Sequence, residues 1–459
     1  MSSEETQVRA SIGGLPPFWD RSVAFVANLL GLFFGNEEEV AKLSQEVGDV
    51  DSYGGRLIPI LDILFTSRNN VLLLERRPDE SLCGYFRQLG LSLPELEILS
   101  HREYTELGHR LGSADESSIE VILERLSQHG AGWMDGYVTD SVLERIATRL
   151  GKQTITTAAG SYQGNNKWLL FEHVRDRGLP HVATEVAAGV DQIPECLELL
   201  AARGFRSAVV KAQIGASGIG LIKVPAIDSG DPLPEIGNHF FYEGAAMVQG
   251  WLEPGVLGVA RIFSPSVQMF LDDSSVHLFD VTEQILSSDS IHEGNESPAP
   301  LLKTRPEVGD ELLRQASVAG EWLHSVGYRG TASTDFLVVE RDDGELEAYV
   351  CEINARVTGA TYPAVLARHF RPQSAWLLRN IRLHESLAGD RMLELLDNSK
   401  QLYERGDAAG LLPINFNLGR DELVFKGQFL CLAETLDECH QILGDTASVL
   451  PIAWEYERD

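Results

Sequence analysis

The sequence predicts a multidomain protein of α/β and α+β class: an amino-terminal α/β domain, a central nucleotide-binding region and a small carboxy-terminal domain. Three observations support this. The chain has 459 residues, too many for one ordinary hydrophobic core. From Arg21 to about Gly151 short apolar runs alternate with amphipathic helical patterns, the mark of an open α/β layer. Beyond that point strand-like runs dominate, broken by a glycine-rich loop and by an Asp-Gly turn.

In the first region "VAFVANLL", "NVLLLE" and "LEILS" read as strands, and "SIEVILERLSQHG" and "TDSVLERIATRLG" as helices. The small and polar residues of "TITTAAGSYQGNN" mark a boundary, so domains are expected at 1–152, 153–395 and 396–459. Next come a helix in "KWLLFEHVRDRG", a strand ending at Pro180, a helix in "QIPECLELLAARG" and the strand "SAVVKAQ". Residues 240–290 are mostly strand-like, and polar Ser287–Pro300 is expected to be a long flexible segment. A helix follows from about Glu307 to Val326, then two strands and the helix of "YPAVLARHF". From about Lys400, "GLLPINFNLGRDELVFKGQFLCLA" has strand character and "TLDECHQILG" forms a short helix.

The formal charge is −30, spread along the chain. Such a surface repels nucleic acid and anionic membranes, which are bound through clustered Lys and Arg. The five cysteines (83, 196, 351, 431 and 439) form no C-x-x-C pair, which argues against a zinc knuckle or disulfide framework and fits a reducing cytoplasm. The most apolar run, "SVAFVANLLGLFFG", is too short to span a bilayer, and no basic region precedes it.

The stretch "VVKAQIGASGIGLIKV" poses the question of which nucleotide is bound. A short-chain dehydrogenase loop has three residues between its first two glycines, whereas two separate Gly215 from Gly218. The chain has no Tyr-x-x-x-Lys pair, and Ser217 stands where a dinucleotide fingerprint needs glycine, so a nicotinamide enzyme is not supported. Strand character resumes at once after Gly220, where a Walker loop would begin a helix. The loop therefore reads as a flap between two strands. Gly215, Ser217 and Gly218 let backbone N–H groups approach phosphate, and Lys211 at the end of the strand reaches the same oxygens.

The second informative stretch is "GTASTDFLVVERDDGELEAYVCEINARVTGATYPA". A two-residue turn at Asp343-Gly344 pairs Asp342 with Glu345 and, counting back along both strands, sets Asp335 opposite Glu352. Their Cβ atoms then lie about 4.5–5.5 Å apart. Asn354 and Arg356 follow on the same face. Two facing acids destabilise a bare sheet unless a cation joins them. Asp335, Glu352 and Asn354 are all oxygen donors, which suits Mg2+ bridging phosphates better than zinc.

Lys211 with its flap, Asp335 and the "EINAR" strand resemble the ATP-grasp superfamily of carboxylate–amine ligases. The resemblance covers roughly residues 155–390 and implies an ATP-grasp fold, with an α/β domain before it and a small domain after it. It implies that Lys167, at the head of "KWLLFEHVRDRG", touches nucleotide phosphates with Lys211. It also implies that "MVQGWLEPG" holds adenine and ribose, with Val248, Gln249, Gly250, Trp251 and Leu252 along the base and Glu253 near the ribose. The cofactors implied are ATP and Mg2+, with Arg356 gripping the transferred phosphoryl group. Arg261 is a candidate for the substrate carboxylate, and His277, Glu283 and His292 for other substrate contacts.

The layout is similar to that of pheganomycin-type peptide ligases. This implies coupling of a guanidino-bearing acid, activated as an acyl phosphate with release of ADP, to the α-amine of a peptide or amino acid. A carboxylating or phosphorylating ATP-grasp enzyme and a non-catalytic nucleotide-binding scaffold stay open as alternatives. The partners expected are a small carboxylic acid and an amine, with neither nucleic acid nor membrane; homo-oligomerisation is left open.

Overall fold

The structure is a computed structural model and describes residues 6–46, 50–216, 218–227, 232–286 and 292–453. The amino-terminal region is a five-stranded parallel sheet. Its order is Glu95–Ile98, Val71–Leu74, Val23–Val26, Trp133–Gly136, Gln153–Thr154. The strands "VAFV" and "VLLL" are buried throughout, as a sheet covered on both faces requires. The helices predicted from "SIEVILERL" and "TDSVLERIATR" form at Glu120–Ser127 and Ser141–Arg149. The second is capped by Asp140, whose carboxylate accepts from the Leu143 amide at 2.8 Å.

The stretch read as a boundary carries structure of its own. Thr157 caps a helix, Ala158–Gly164, its hydroxyl accepting from the Gly160 amide at 3.0 Å. Small residues serve packing here: a Cβ at Gly160 would lie 2.7 Å from the backbone of Gly327.

A separate antiparallel sheet of four strands follows, in the order Thr184–Ala187, Ala246–Gly250, Ala208–Lys211, Leu221–Val224. The strand expected to end at Pro180 instead begins after it, at Thr184. Proline lacks an N–H for the ladder and fits the approach to a strand better than its interior.

The largest sheet has eleven strands. Its main path runs Val259–Phe263, Gly330–Arg341, Pro265–Leu271, Ser275–Leu286, His292–Ser297, Ala375–Leu387, Val424–Ala433, Gly410–Leu418. Three further strands, Gln7–Ala10, Leu346–Asn354 and Ile452–Ala453, pair along it. The segment expected to be flexible is corrected in part: residues 287–291 lie outside the described residues, but His292–Ser297 is a strand and Pro300–Thr304 a helix. Its polar side chains mislead: His292, Glu293 and Asn295 line a cavity, while the Ser297 hydroxyl donates to Asp280 inside the fold.

The strands after residue 400 add to Ala375–Leu387 by antiparallel pairing, and position 396 falls inside the helix Gly389–Asn398. Among the described residues no helix is long and apolar enough to cross a membrane. All five cysteines are free thiols.

Candidate active site

The hairpin Gly330–Arg341/Leu346–Asn354 sets Asp335 opposite Glu352 and Ser333 opposite Asn354. The turn itself differs from the expected one. Arg341 pairs with Glu345 (N–H to O, 2.8 Å) around a three-residue loop in which Gly344 takes the left-handed conformation, φ 82°. That longer loop shifts the register by one residue. A bulge between Asp335 and Phe336, with Cys351 as the extra residue, shifts it back. The carboxylates face each other because the two offsets cancel.

Each acid is held differently. The Asp335 carboxylate accepts from the Ser266 hydroxyl at 2.6 Å and from Asn354 Nδ2 at 2.8 Å. Burial, reinforced by the charge of Glu352, pushes its pKa up to about 6. Burial alone would raise Glu352 too, but Lys167, Arg356 and Lys211 outweigh it and hold that carboxyl below its usual range. The closest cation is Lys167, 3.1 Å from Glu352 Oε2.

Lys167 is aimed by its own helix start. Asn166 caps the helix Lys167–Asp176, its Oδ1 accepting from the Leu169 amide, while its Nδ2 donates to Gln213. The Lys167 amide bonds Gln213 O, and its ammonium bonds Gly215 O at 3.0 Å. One polar dipeptide thus ties this helix to the flap. Arg356 is aimed by the Ala158–Gly164 helix: its guanidinium donates to Asn165 Oδ1 at 2.6 Å.

The flap is the turn between the antiparallel strands Ala208–Lys211 and Leu221–Val224. Gly218 and Gly220 have φ of 82° and 77°, and a Cβ at Gly215 would lie 2.6 Å from Ile219 O. All three positions therefore need glycine. Ser217 lies outside the described residues. Lys211 Nζ donates to Gln249 Oε1 at 2.8 Å, and burial pulls its pKa down.

Two cavities meet at the carboxylates. A cavity of about 220 Å³ is walled by Lys167, Lys211, Gly215, Gly218 and Gly220. A larger one of about 800 Å³ holds Asn354, Arg356, Ser266 and His292. Asp335 and Glu352 belong to the walls of both.

Other sequence candidates lie elsewhere. Arg261 is exposed, opposite Glu340, with its guanidinium 5.9 Å from the Phe263 ring, and lines neither cavity. Val248 and Leu252 are in an apolar core, and Gly250 is required because a Cβ there would overlap Phe205. Trp251 lies under Lys223, and Glu253 accepts from Ser207 and Lys223. His277 is buried against Asp272 at 2.8 Å. Glu283 accepts from the Ser264 amide, and burial pushes it up to about 7. Residue patterning missed Arg56, Tyr53, Arg379 and Lys426, which wall the large cavity from distant parts of the chain. Of these only Arg56 carried a local signal, the double glycine of "SYGGR".

Among the described residues no group of three or more His, Cys, Asp or Glu side chains forms a metal cluster. The site offers two carboxylates and an amide oxygen. That set suits Mg2+, which keeps other positions for phosphate oxygens and water. Burial and the facing charge of Glu352 raise the pKa of Asp335, a charge conflict that a bound cation would relieve.

No protein-family model matches the chain. It is 31% identical over 307 residues to a [Butirosin acyl-carrier protein]–L-glutamate ligase of Niallia circulans; the match covers 65% of this chain and spans 64% of that relative's length. An N5-carboxyaminoimidazole ribonucleotide synthetase solved with ADP matches 94% of the chain and 97% of its own at TM-score 0.55 and 12% identity. An L-amino acid ligase from Bacillus licheniformis matches 95% and 100% at TM-score 0.53 and 12% identity. A biotin carboxylase from Campylobacter jejuni matches 94% and 92% at TM-score 0.55 and 12% identity. The three sheets and these whole-chain likenesses give the protein an ATP-grasp fold.

Proposed function

We propose that the protein is an ATP-dependent carboxylate–amine ligase that forms an amide bond and releases ADP and phosphate. The observation that carries this reading is the position of Asp335 and Glu352 in the walls of both cavities. A phosphoryl group passing from nucleotide to carboxylate has to cross such a junction. The likeness to a ligase that by its name joins L-glutamate to an acyl-carrier protein supports the same class.

A carboxylate is a poor electrophile until its oxygen becomes a phosphate leaving group. Lys167 and Lys211 neutralise the nucleotide phosphates, and Arg356 steadies the charge that gathers on the transferred group. Asp335, Glu352 and Asn354 would hold Mg2+, which supplies positive charge to the phosphate oxygens. The flap around Gly215–Gly220 covers the phosphates and keeps water from the activated acid. Gln249, hydrogen-bonded to Lys211, positions that ammonium. The region before residue 153 and the tail after 396 frame the substrates, the tail through Lys426, Ile452 and Ala453.

For the acid, the guanidino-bearing substrate of pheganomycin-type ligases is one reading. A second is favoured by charge: beside Asp335, Glu352 and Glu293, which pairs with Arg379 at 3.1 Å, the large cavity is lined by Arg56, Arg356, Arg382 and Lys426 in a protein with net charge −30. An acid with an additional anionic group suits that wall better than a cation does. An amino acid or peptide supplies the amine, in natural-product biosynthesis within a reducing cytoplasm.

The test is nucleotide release measured across acid–amine pairs, with bicarbonate alone as a comparison. ADP and phosphate should appear only when acid and amine are both present, and hydroxylamine should trap the acid as a hydroxamate. Carboxyl-18O acid should pass one label into phosphate. AMP as product, or ADP release with bicarbonate and no amine, overturns the reading.

A further inference from the structure

Arg56 is a buried arginine without a carboxylate partner among the described residues. It sits in the 3-10 segment Val50–Leu57, is 5% exposed, and walls the large cavity. Its guanidinium lies 3.5 Å from the ring centroid of Tyr53 and 5.9 Å from that of Tyr362. Its buried Nε has no hydrogen-bond partner. A buried cation whose neighbours are the phenols of Tyr53 and Tyr362, with a hydrogen bond to Tyr53 and no carboxylate among the described residues, is costly unless an anion completes it.

The position is built rather than incidental. A Cβ at Gly54 would overlap Leu74 of the amino-terminal sheet, and one at Gly55 would overlap Asn415 of the Gly410–Leu418 strand. Asn415 Nδ2 in turn donates to Ser52 O at 3.2 Å. The Tyr53-Gly54-Gly55-Arg56 run is therefore clamped between the first region and the last. Tyr362 bonds Tyr137, and Tyr137 bonds the Tyr53 carbonyl, which fixes the aromatic bed around the guanidinium.

Arg56 differs from Arg356 in its charged surroundings. The charges of Asp335 and Glu352 act on Arg356, whereas no carboxylate is among the groups acting on Arg56, which are the phenols of Tyr53, Tyr362 and Tyr137; Tyr362 acts on both arginines. Burial lowers the pKa of His292, and the charges of Arg56 and Arg379 lower it further; Arg56 and His292 line the same cavity.

We propose that Arg56 binds a substrate carboxylate other than the one being activated. The carboxylate comes either from a second acid group on the activated substrate or from the amine-bearing acceptor. This rests on the ligase reading, but it is tested by equilibrium binding, which succeeds or fails independently of turnover.

Titration calorimetry on the full chain, loaded with a non-hydrolysable ATP analogue and Mg2+, uses two probe pairs. Glutarate against its monoamide tests the acid; L-alanine against L-alaninamide tests the acceptor. In at least one pair the member with the additional carboxylate should bind about tenfold or more tightly, and the pair that shows it names the source. Arg56→Gln should remove the preference, Arg56→Lys should keep part of it, and Tyr53→Leu should weaken it about threefold to fivefold. If Arg56→Gln fails to fold, Tyr53→Leu decides. No preference in either pair, no binding of any probe, or a preference unchanged by these substitutions overturns the proposal.

Discussion

Of the like-charge pairs that face each other across strands of the eleven-stranded sheet, two wall the large cavity. Asp335 opposes Glu352 in one hairpin, and Arg382 opposes Lys426 where the Ala375–Leu387 and Val424–Ala433 strands pair. The register relation is the same, but the energetic consequence is not. Arg382 is exposed and Lys426 half-buried, so water and salt screen them. Asp335 is pushed up to about 6, and Glu352 stays charged because three cations surround it. Facing like charges mark a site only where solvent cannot screen them.

The strongest way to break this comparison is to neutralise one acid. Asp335→Asn or Glu352→Gln should lower ADP release by about a hundredfold or more while circular dichroism stays unchanged. Equal turnover at ordinary Mg2+ would show the pair to be structural. The flap tests the nucleotide side of the same junction. Gly218→Val puts a β-branched residue at φ 82° and should weaken ATP binding about tenfold, leaving acid binding nearly unaltered.

A third measurement follows stability against pH without ligand. Because the folded pKa of Asp335 is raised from 3.8 to about 6, its ionisation costs stability once pH exceeds the unfolded value, with the full cost reached above about pH 6. Asp335→Asn should therefore stabilise the free protein by about 1–3 kcal/mol at pH 7.5, and the gain should fade toward pH 4. A gain that does not change with pH would mean that packing, not charge, is responsible. The smallest effect belongs to the basic pair: Arg382→Gln should change stability by less than about 0.5 kcal/mol. A larger change would erase the contrast between the two pairs.

What the sequence disclosed was local. The helix beginning at Lys167, the flap between its two strands and the long helix Glu307–Ser325 follow from periodicity, glycine and caps read within short windows. The facing acids were found through a turn that is one residue longer than expected, and the bulge at Cys351 restored the count. A bulge has no reliable signature in a single sequence. The strand Ala375–Leu387 was missed because its apolar half passes into charged residues that line a cavity, which obscures alternation. Arg56 and Lys426 join the cavity only through tertiary packing, and no spacing rule links positions so far apart. Asn165, in the stretch whose small and polar residues mark a boundary, holds Arg356.

The shared strand Ala375–Leu387 also has a mechanical meaning. It carries ladder bonds to His292–Ser297 on one side and to Val424–Ala433 on the other. Strands joined in this way cannot hinge without breaking the ladder, so the tail and the floor beneath the acids move as one stiff frame. Among the described residues the four-stranded sheet bearing the flap has no ladder bond to that frame and meets it through side chains such as Val339 and Tyr349, so it is the leaf with more freedom to move. A chain cut after Leu387 would expose an open sheet edge and uncover Trp376, which is wholly buried in the intact protein. Its expected fate is aggregation rather than survival as a smaller folded protein.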